Sequence, residues 1–245
     1  MNAAQTERIA GLAAVAALFA RRPASVLRLF YLPTRRREAG PLCKELAAAR
    51  KPYREVPQEE LARIAGTPHH GGIVAVAEAR AVPELGAPFP TALLAARVLP
   101  VLDAVGNPHN LGAIARSAAF FGCAGLLLSG DARQAGLSDA AYRTAEGGLE
   151  HLALYRVASL PVALRAMAPR FTTVAAVSQG GVAPAALPRN KPFALLLGNE
   201  ETGPNAAAIG ACAHRVTLPG SGRVESLNVS VAAAVLISAL ESLAP

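Results

Sequence analysis

Three short stretches of this sequence place polar groups at spacings that suit a binding pocket better than a core. The first reads Asp103-Ala-Val-Gly-Asn-Pro-His-Asn110-Leu-Gly112-Ala-Ile-Ala-Arg116. Asn110 can cap a helix starting there, and Arg116 further along that helix could reach a phosphate or a sugar. An N-cap followed by an ordinary surface arginine would look the same. The second reads Gly198-Asn199-Glu200-Glu201-Thr202-Gly203-Pro204. Its glycines let the backbone approach a ligand closely, and its acids can accept hydrogen bonds. A plain strand-to-helix loop with Pro204 at the first helical position shares that pattern. The third runs from Leu218-Pro219-Gly220-Ser221-Gly222 to Ser226-Leu227-Asn228-Val229-Ser230. Ser226 is a natural N-cap. Asn228, in the first turn of a strongly apolar helix, must find partners, either in a ligand or in the backbone.

Other chemistries are poorly served. Gly220-Ser-Gly222 lacks the third glycine of a dinucleotide fingerprint, and no phosphate-cradling loop is present. His109, His151 and His214 are scattered, His69–His70 lacks metal-ligand spacing and no CxxC pair occurs, so no metal is expected.

Continuous apolar runs position the three stretches. Leu99–Leu102, Gly125–Leu128, Thr173–Val177, Phe193–Leu197 and Val216–Leu218 read as strands of a sheet buried on both faces. Helical patterns at Leu111–Phe121, Leu160–Ala168, Pro204–Cys212 and Ser226–Leu243 alternate with them. Such alternation predicts an α/β fold with a mainly parallel sheet. Ligands of these sheets bind at the carboxyl ends of strands, where the three stretches fall. The preceding part of the chain predicts helices over Glu7–Ala20, Arg35–Arg50 and Gln58–Ala65, and strands over Leu27–Leu32, Tyr53–Val56 and Ile73–Ala77. The expected organisation is a small α/β domain over residues 1–80, a proline-rich linker over 81–95 and a larger domain over 96–245.

Composition adds a direction. Of 245 residues, 52% are hydrophobic and 17% charged, which excludes a disordered chain. The net charge is +7. Residues 1–80 hold 13 Lys+Arg against 7 Asp+Glu, a net +6, leaving +1 for the remainder. That asymmetry predicts a polyanionic partner for the N-terminal part, with Arg21, Arg22, Arg28, Arg35, Arg36 and Arg37 as candidate contacts. The apolar tracts Ile9–Ala20 and Leu227–Leu240 are shorter than the ~20 residues of a membrane span. Cys43, Cys123 and Cys212, odd in number and far apart, predict a reduced, cytoplasmic setting.

Taken together, in this order, the three stretches resemble the three motifs of the SpoU/TrmH branch of the SPOUT RNA methyltransferases. Asn110, Gly112 and Arg116 match the first; Gly198, Asn199, Glu200 and Gly203 the second; Pro219, Gly222, Ser226, Leu227, Asn228, Val229 and Ser230 the third. His70-Gly71-Gly72-Ile73-Val74-Ala75 is similar to a strand motif of that family's L30e-like substrate-binding domain. The resemblance implies a trefoil knot in the C-terminal domain and S-adenosylmethionine as cofactor, held at Gly198, Asn199, Gly203, Leu218, Pro219, Leu227 and Asn228. It implies methyl transfer to a ribose 2′-OH of tRNA or rRNA, with Arg116, Asn110, Glu200, Ser226 and Asn228 as the catalytic set, and a homodimer formed through the knot domain. A non-catalytic RNA-binding protein on the same scaffold is the alternative, and a nicotinamide-dependent dehydrogenase a distant third. One departure stands out: Ala145 and Glu146 occupy a stretch ending at His151 where relatives carry a serine and no such acid, which bears on the target nucleotide.

Overall fold

The computed structural model of the protein describes residues 6–245, and these divide into two compact units. The first comprises the chain up to Ala81 together with Leu137–His151; the second comprises Val82–Gly136 and Leu152–Pro245.

The first unit is built on a four-stranded sheet. Its elements are β1 (Thr6–Ala10), α1 (Leu12–Arg21), β2 (Val26–Tyr31), α2 (Arg36–Ala48), β3 (Tyr53–Glu55), α3 (Gln58–Ala65) and β4 (Ile73–Glu78), in the sheet order β1-β4-β2-β3. The helix expected over Glu7–Ala20 is thus a strand followed by a helix. Gly11, at φ +96°, breaks the tract, and Ile9 pairs with Ala75 across an antiparallel ladder. The β-branched strand β4 is saturated on both edges by this pairing, and that demand outweighs the helical periodicity.

A segment from mid-sequence completes this unit. In the sequence it lies inside the expected C-terminal domain, yet α5 (Asp139–Ala145) and α6 (Gly148–His151) pack against α1 and β1. Tyr142 and Leu149 are fully buried there. Gly147 sits at φ +91°, and a Cβ on it would lie 2.9 Å from the Ala17 methyl, so only glycine allows this approach. A buried ion cluster clips the segment down. The Arg22 Nε donates to Glu150 Oε2 at 2.8 Å, and its terminal nitrogen donates to Glu150 Oε1 and Glu7 Oε1, both at 2.7 Å. Arg80 donates to the Leu149 carbonyl at 2.5 Å. Burial opposes the Arg22 charge, but the bonds to Glu150 and Glu7 outweigh it and strengthen its hold on its proton.

The second unit carries β5 (Val98–Asp103), α4 (Pro108–Phe120), β6 (Gly125–Ser129), β7 (Ala153–Val157), α7 (Leu160–Met167), β8 (Thr172–Ala176), β9 (Phe193–Gly198), α8 (Ala206–Gly210), β10 (His214–Val216) and α9 (Val229–Glu241). Its six strands are all parallel, in the order β10-β8-β9-β5-β6-β7. This is the α/β architecture that the apolar runs predict. The edge strand β7 escaped sequence reading because Tyr155 and Arg156 interrupt its apolar pattern. The proline-rich stretch after Ala81 is not loose. The Pro83 carbonyl and the Leu85 amide bond to Arg156 on β7 at 2.8 and 2.7 Å, and Leu93 is fully buried.

Two predictions follow from the first unit. Removing the Arg22 guanidinium takes both close hydrogen bonds from the Glu150 carboxylate, whose side chain is 1% exposed, and leaves it Arg80 at 3.9 Å. Arg22→Ala is expected to lower unfolding stability by about 3 kcal/mol, whereas Arg21→Ala on the exposed face changes it by less than about 0.5 kcal/mol; urea titration compares them. His70 is 2% exposed, and burial lowers its pKa below the ordinary 6.5. Its contribution is complete above pH 6.5 and is lost as pH falls toward the folded-state value, because the unfolded chain takes up the proton first. His70→Asn is therefore expected to flatten the fall in melting temperature between neutral and mildly acidic pH.

Candidate active site

β5 and β9 are neighbours, with Asp103 opposite Gly198, so the loops that follow them leave the sheet side by side. After β9 the chain folds back on itself. The Gly203 amide donates to the Asn199 carbonyl at 2.9 Å. A Cβ on Gly198 would lie 1.9 Å from the Pro204 nitrogen and 2.2 Å from the Gly203 carbonyl carbon. No other residue fits at Gly198 without opening the loop.

Side chains then brace this loop from within. Asn199 Oδ1 accepts from the amides of Glu201 and Thr202 at 2.9 and 3.2 Å, and its Nδ2 donates to the Ala104 carbonyl at 3.0 Å. The Asn205 amide donates to Asp103 Oδ2 at 2.7 Å. Ala104 is held at φ +55°, a left-handed conformation that costs a non-glycine residue about 1 kcal/mol.

The three polar stretches meet at Asn110. Its Nδ2 donates to Glu200 Oε1 at 2.5 Å, and its Oδ1 accepts from Asn228 Nδ2 at 3.2 Å. Asn228 Oδ1 in turn accepts from the amide and hydroxyl of Ser230 at 2.9 and 2.6 Å. Asn110 is 9% exposed, so both ends of its amide need partners, and it finds them on two different loops. The capping roles differ from those expected. Asn107 caps α4, with Pro108 at its first position, and Asn110 lies within its first turn. Asn228, not Ser226, caps α9.

Beside this chain of amides lies a cavity of about 630 Å³. Leu197, Val216, Leu218 and Leu236 form apolar wall; Gly198–Gly203, Pro219, Ser226 and Leu227 complete the rim. Of the residues proposed to hold a cofactor, Gly198, Asn199, Gly203, Leu218, Pro219 and Leu227 line it and Asn228 stands outside the lining. Glu200, Glu201 and Glu225 contribute acid, and no Lys, Arg or His lines it. Ala176, Val177 and Ser178 also line it. They were legible only as the carboxyl end of a strand whose place beside β9 the sequence does not give.

The remaining candidates lie elsewhere. Arg116 is exposed on α4 and does not line the cavity. In the first unit, Arg22 is engaged by Glu7 and Glu150, Arg35 by Glu38 and Arg36 by Glu55. Arg21, Arg28 and Arg37 are exposed and carry no ion pair among the described residues. Burial pushes the Cys123 and Cys212 thiols up to about 12, far from a nucleophile's range. Among the described residues no group of His, Cys, Asp and Glu could hold a metal ion, and no helix is long and apolar enough to cross a membrane.

Comparison with known proteins agrees with this geometry. Residues 97–238 match the SpoU rRNA methylase family, and residues 8–83 match the family described as RNA 2′-O ribose methyltransferase substrate binding. The 23S rRNA (guanosine-2′-O-)-methyltransferase RlmB of Yersinia pestis is 34% identical over 237 residues, covering 95% of each chain. The uncharacterized tRNA/rRNA methyltransferase YfiF of Escherichia coli O157:H7 is 33% identical over 96% of this chain and 67% of that protein. The crystal structure of an AdoMet-bound rRNA methyltransferase from Sinorhizobium meliloti superposes with a TM-score of 0.77 at 21% identity, over 97% of this chain and 87% of that one. That of the SpoU methyltransferase AviRb from Streptomyces viridochromogenes with AdoMet gives 0.75 at 24% identity, over 96% and 89%. With its sheet, its loop-braced cavity and both halves matched along nearly the whole length, the chain belongs to the SpoU rRNA methylase family.

Proposed function

We propose that this protein transfers a methyl group from S-adenosylmethionine to a ribose 2′-OH of RNA. The observation that carries the reading is the hydrogen-bonded chain Glu200–Asn110–Asn228, which reaches through Glu200 to a cavity whose ionisable lining is entirely acidic. That lining suits a cationic nucleoside ligand. It disfavours a nicotinamide dinucleotide, whose pyrophosphate would face three glutamates and no cation. Gly198, Leu218 and Leu227 would hold the nucleoside, with the tight turn at Gly198–Pro204 offering backbone groups.

Bound S-adenosylmethionine would supply a methyl group already activated by the positive sulfonium. The chain's own residues must then align the 2′-oxygen and help its proton leave, so positioning dominates the rate. Glu200 and Asn228 fix the orientation of the Asn110 amide from both sides. Ser226, on the rim, offers a hydroxyl to the ribose. The part assigned to Arg116 is electrostatic: its guanidinium would stabilise the developing alkoxide or an adjacent phosphate.

The first unit would capture RNA, with Arg21, Arg28 and Arg37 as the exposed contacts. A homodimer through the second unit fits the exposed side chains of Phe120 on α4 and Val231 and Val235 on α9, two helices that pack on each other. Arg116 on α4 would then lie near that interface. The proposed knot accords with contacts between the stretch after β8 and the C-terminal elements: the Val182 carbonyl accepts from the Thr217 amide, and residues 184–186 pack against α9. A cytoplasmic setting accords with the unpaired cysteines.

Calorimetry is expected to show S-adenosylmethionine binding and none for NADH. Labelled methyl donor is expected to be incorporated into unmodified 23S rRNA transcript, the RNA named for the Yersinia relative, as 2′-O-methylribose. NADH binding without S-adenosylmethionine binding would sink the proposal. Gly198→Ala is expected to abolish cofactor binding while circular dichroism keeps its native form. Arg116→Lys is expected to lower kcat by more than about tenfold with cofactor affinity retained, because a point charge does not replace a planar bidentate group. RNA affinity is expected to fall steeply with salt, and neutralising Arg21, Arg28 or Arg37 should lower that slope by roughly one each.

A further inference from the structure

The turn after β5 is buried and strained, and its own backbone satisfies none of its polar groups. Ala104 and Val105 are 2% and 0% exposed. The Ala104 amide donates to Ser129 Oγ at 3.1 Å, and its carbonyl accepts from Asn199. The Val105 amide donates to Gln134 Oε1 at 3.1 Å. The Val105 carbonyl accepts from Gln134 Nε2 at 3.1 Å and from the Ala135 amide at 2.9 Å. Gln134 therefore reads Val105 at both ends, as a paired strand would, from a loop that contributes nothing to the cavity lining.

We infer that Gln134 is a positioning residue for methyl transfer: it holds the Ala104–Val105 turn in its left-handed shape and so sets where Asn110 meets Glu200. This rests on the reading that the Asn110 cluster is the reacting end of the site. The path is short. The turn runs directly into Asn107, which caps α4, and Asn110 lies in the first turn of that helix. The same turn accepts the Asn199 amide from the cofactor loop. Slack at Val105 moves Asn110 relative to Glu200 without touching the cavity walls at Leu218 and Leu236.

The test uses the full-length protein with Gln134→Ala, Gln134→Glu and, in parallel, Asn110→Ala. Labelled S-adenosylmethionine and unmodified 23S rRNA transcript give turnover, calorimetry gives cofactor affinity, and amide hydrogen exchange reports on residues 98–110. Gln134→Ala is expected to lower kcat by roughly 10- to 100-fold, with cofactor affinity changed less than about threefold and exchange at Ala104–Val105 accelerated. In Gln134→Glu the carboxylate keeps the acceptor but cannot donate to the Val105 carbonyl. Protonation restores the donor, so its turnover relative to wild type is expected to recover as pH falls through the new carboxyl's pKa. A purely structural loss would not follow that profile. Normal turnover in Gln134→Ala with Asn110→Ala inactive overturns this inference alone. Normal turnover in Asn110→Ala overturns the reading of the site and the inference with it. Unchanged exchange at Val105 in Gln134→Ala overturns the inference whether or not the transcript is methylated.

Discussion

A single buried amide organises the second unit. Asn110 has a donor and an acceptor that must both be satisfied away from water, and they are met by Glu200 and Asn228 from separate loops. The cost of leaving either end unmade is larger than the gain of an exposed hydrogen bond. The amide thus fixes the relative placement of three loops that the sheet alone would only bring near one another. The parallel register between β5 and β9 sets the coarse distance, and the side-chain network sets the fine one. The turn at Gly198 belongs to the same constraint, since backbone meets backbone there with no room for a methyl group.

Much of this was legible in the residues. Runs such as Phe193–Leu197 have no solvent face, and a parallel sheet is their natural home. The loop-borne polar residues stood out because Asn, Glu and Gly at strand ends have no packing role. What the sequence hid were choices made by tertiary contacts. Ile9 joined a strand because β4 offered an open edge, although its neighbours spell a helix. Asn107 took the α4 cap from Asn110 because Pro108 can occupy the first helical position without losing a bond. Asn199 lines the cavity, and only the fold shows that its side-chain amide also braces its own loop and Ala104. Arg22 and Arg37 are indistinguishable as letters, and only the fold shows that Glu150 comes back to meet the first of them.

Charge is divided by role. The positive excess of the first unit lies in a few exposed arginines once the internally paired ones are set aside. The cavity in the second unit is lined by acid alone. Under the proposed function a polyanion and a cationic cofactor would therefore meet surfaces of opposite sign, which would keep RNA from competing for the pocket and the cofactor from being held at the exposed arginines.

The return of Leu137–His151 to the first unit has a consequence for how the protein can be divided. The chain passes from one unit to the other at three points, not one, so no single cut yields two whole pieces. A fragment ending near Ala81 would uncover the faces that receive Tyr142 and Leu149, and would leave Arg22 facing Glu7 without Glu150. The two matched regions are contiguous as text and interleaved as matter. Neither can be exchanged with a relative's as a cassette unless the fifteen-residue return travels with it.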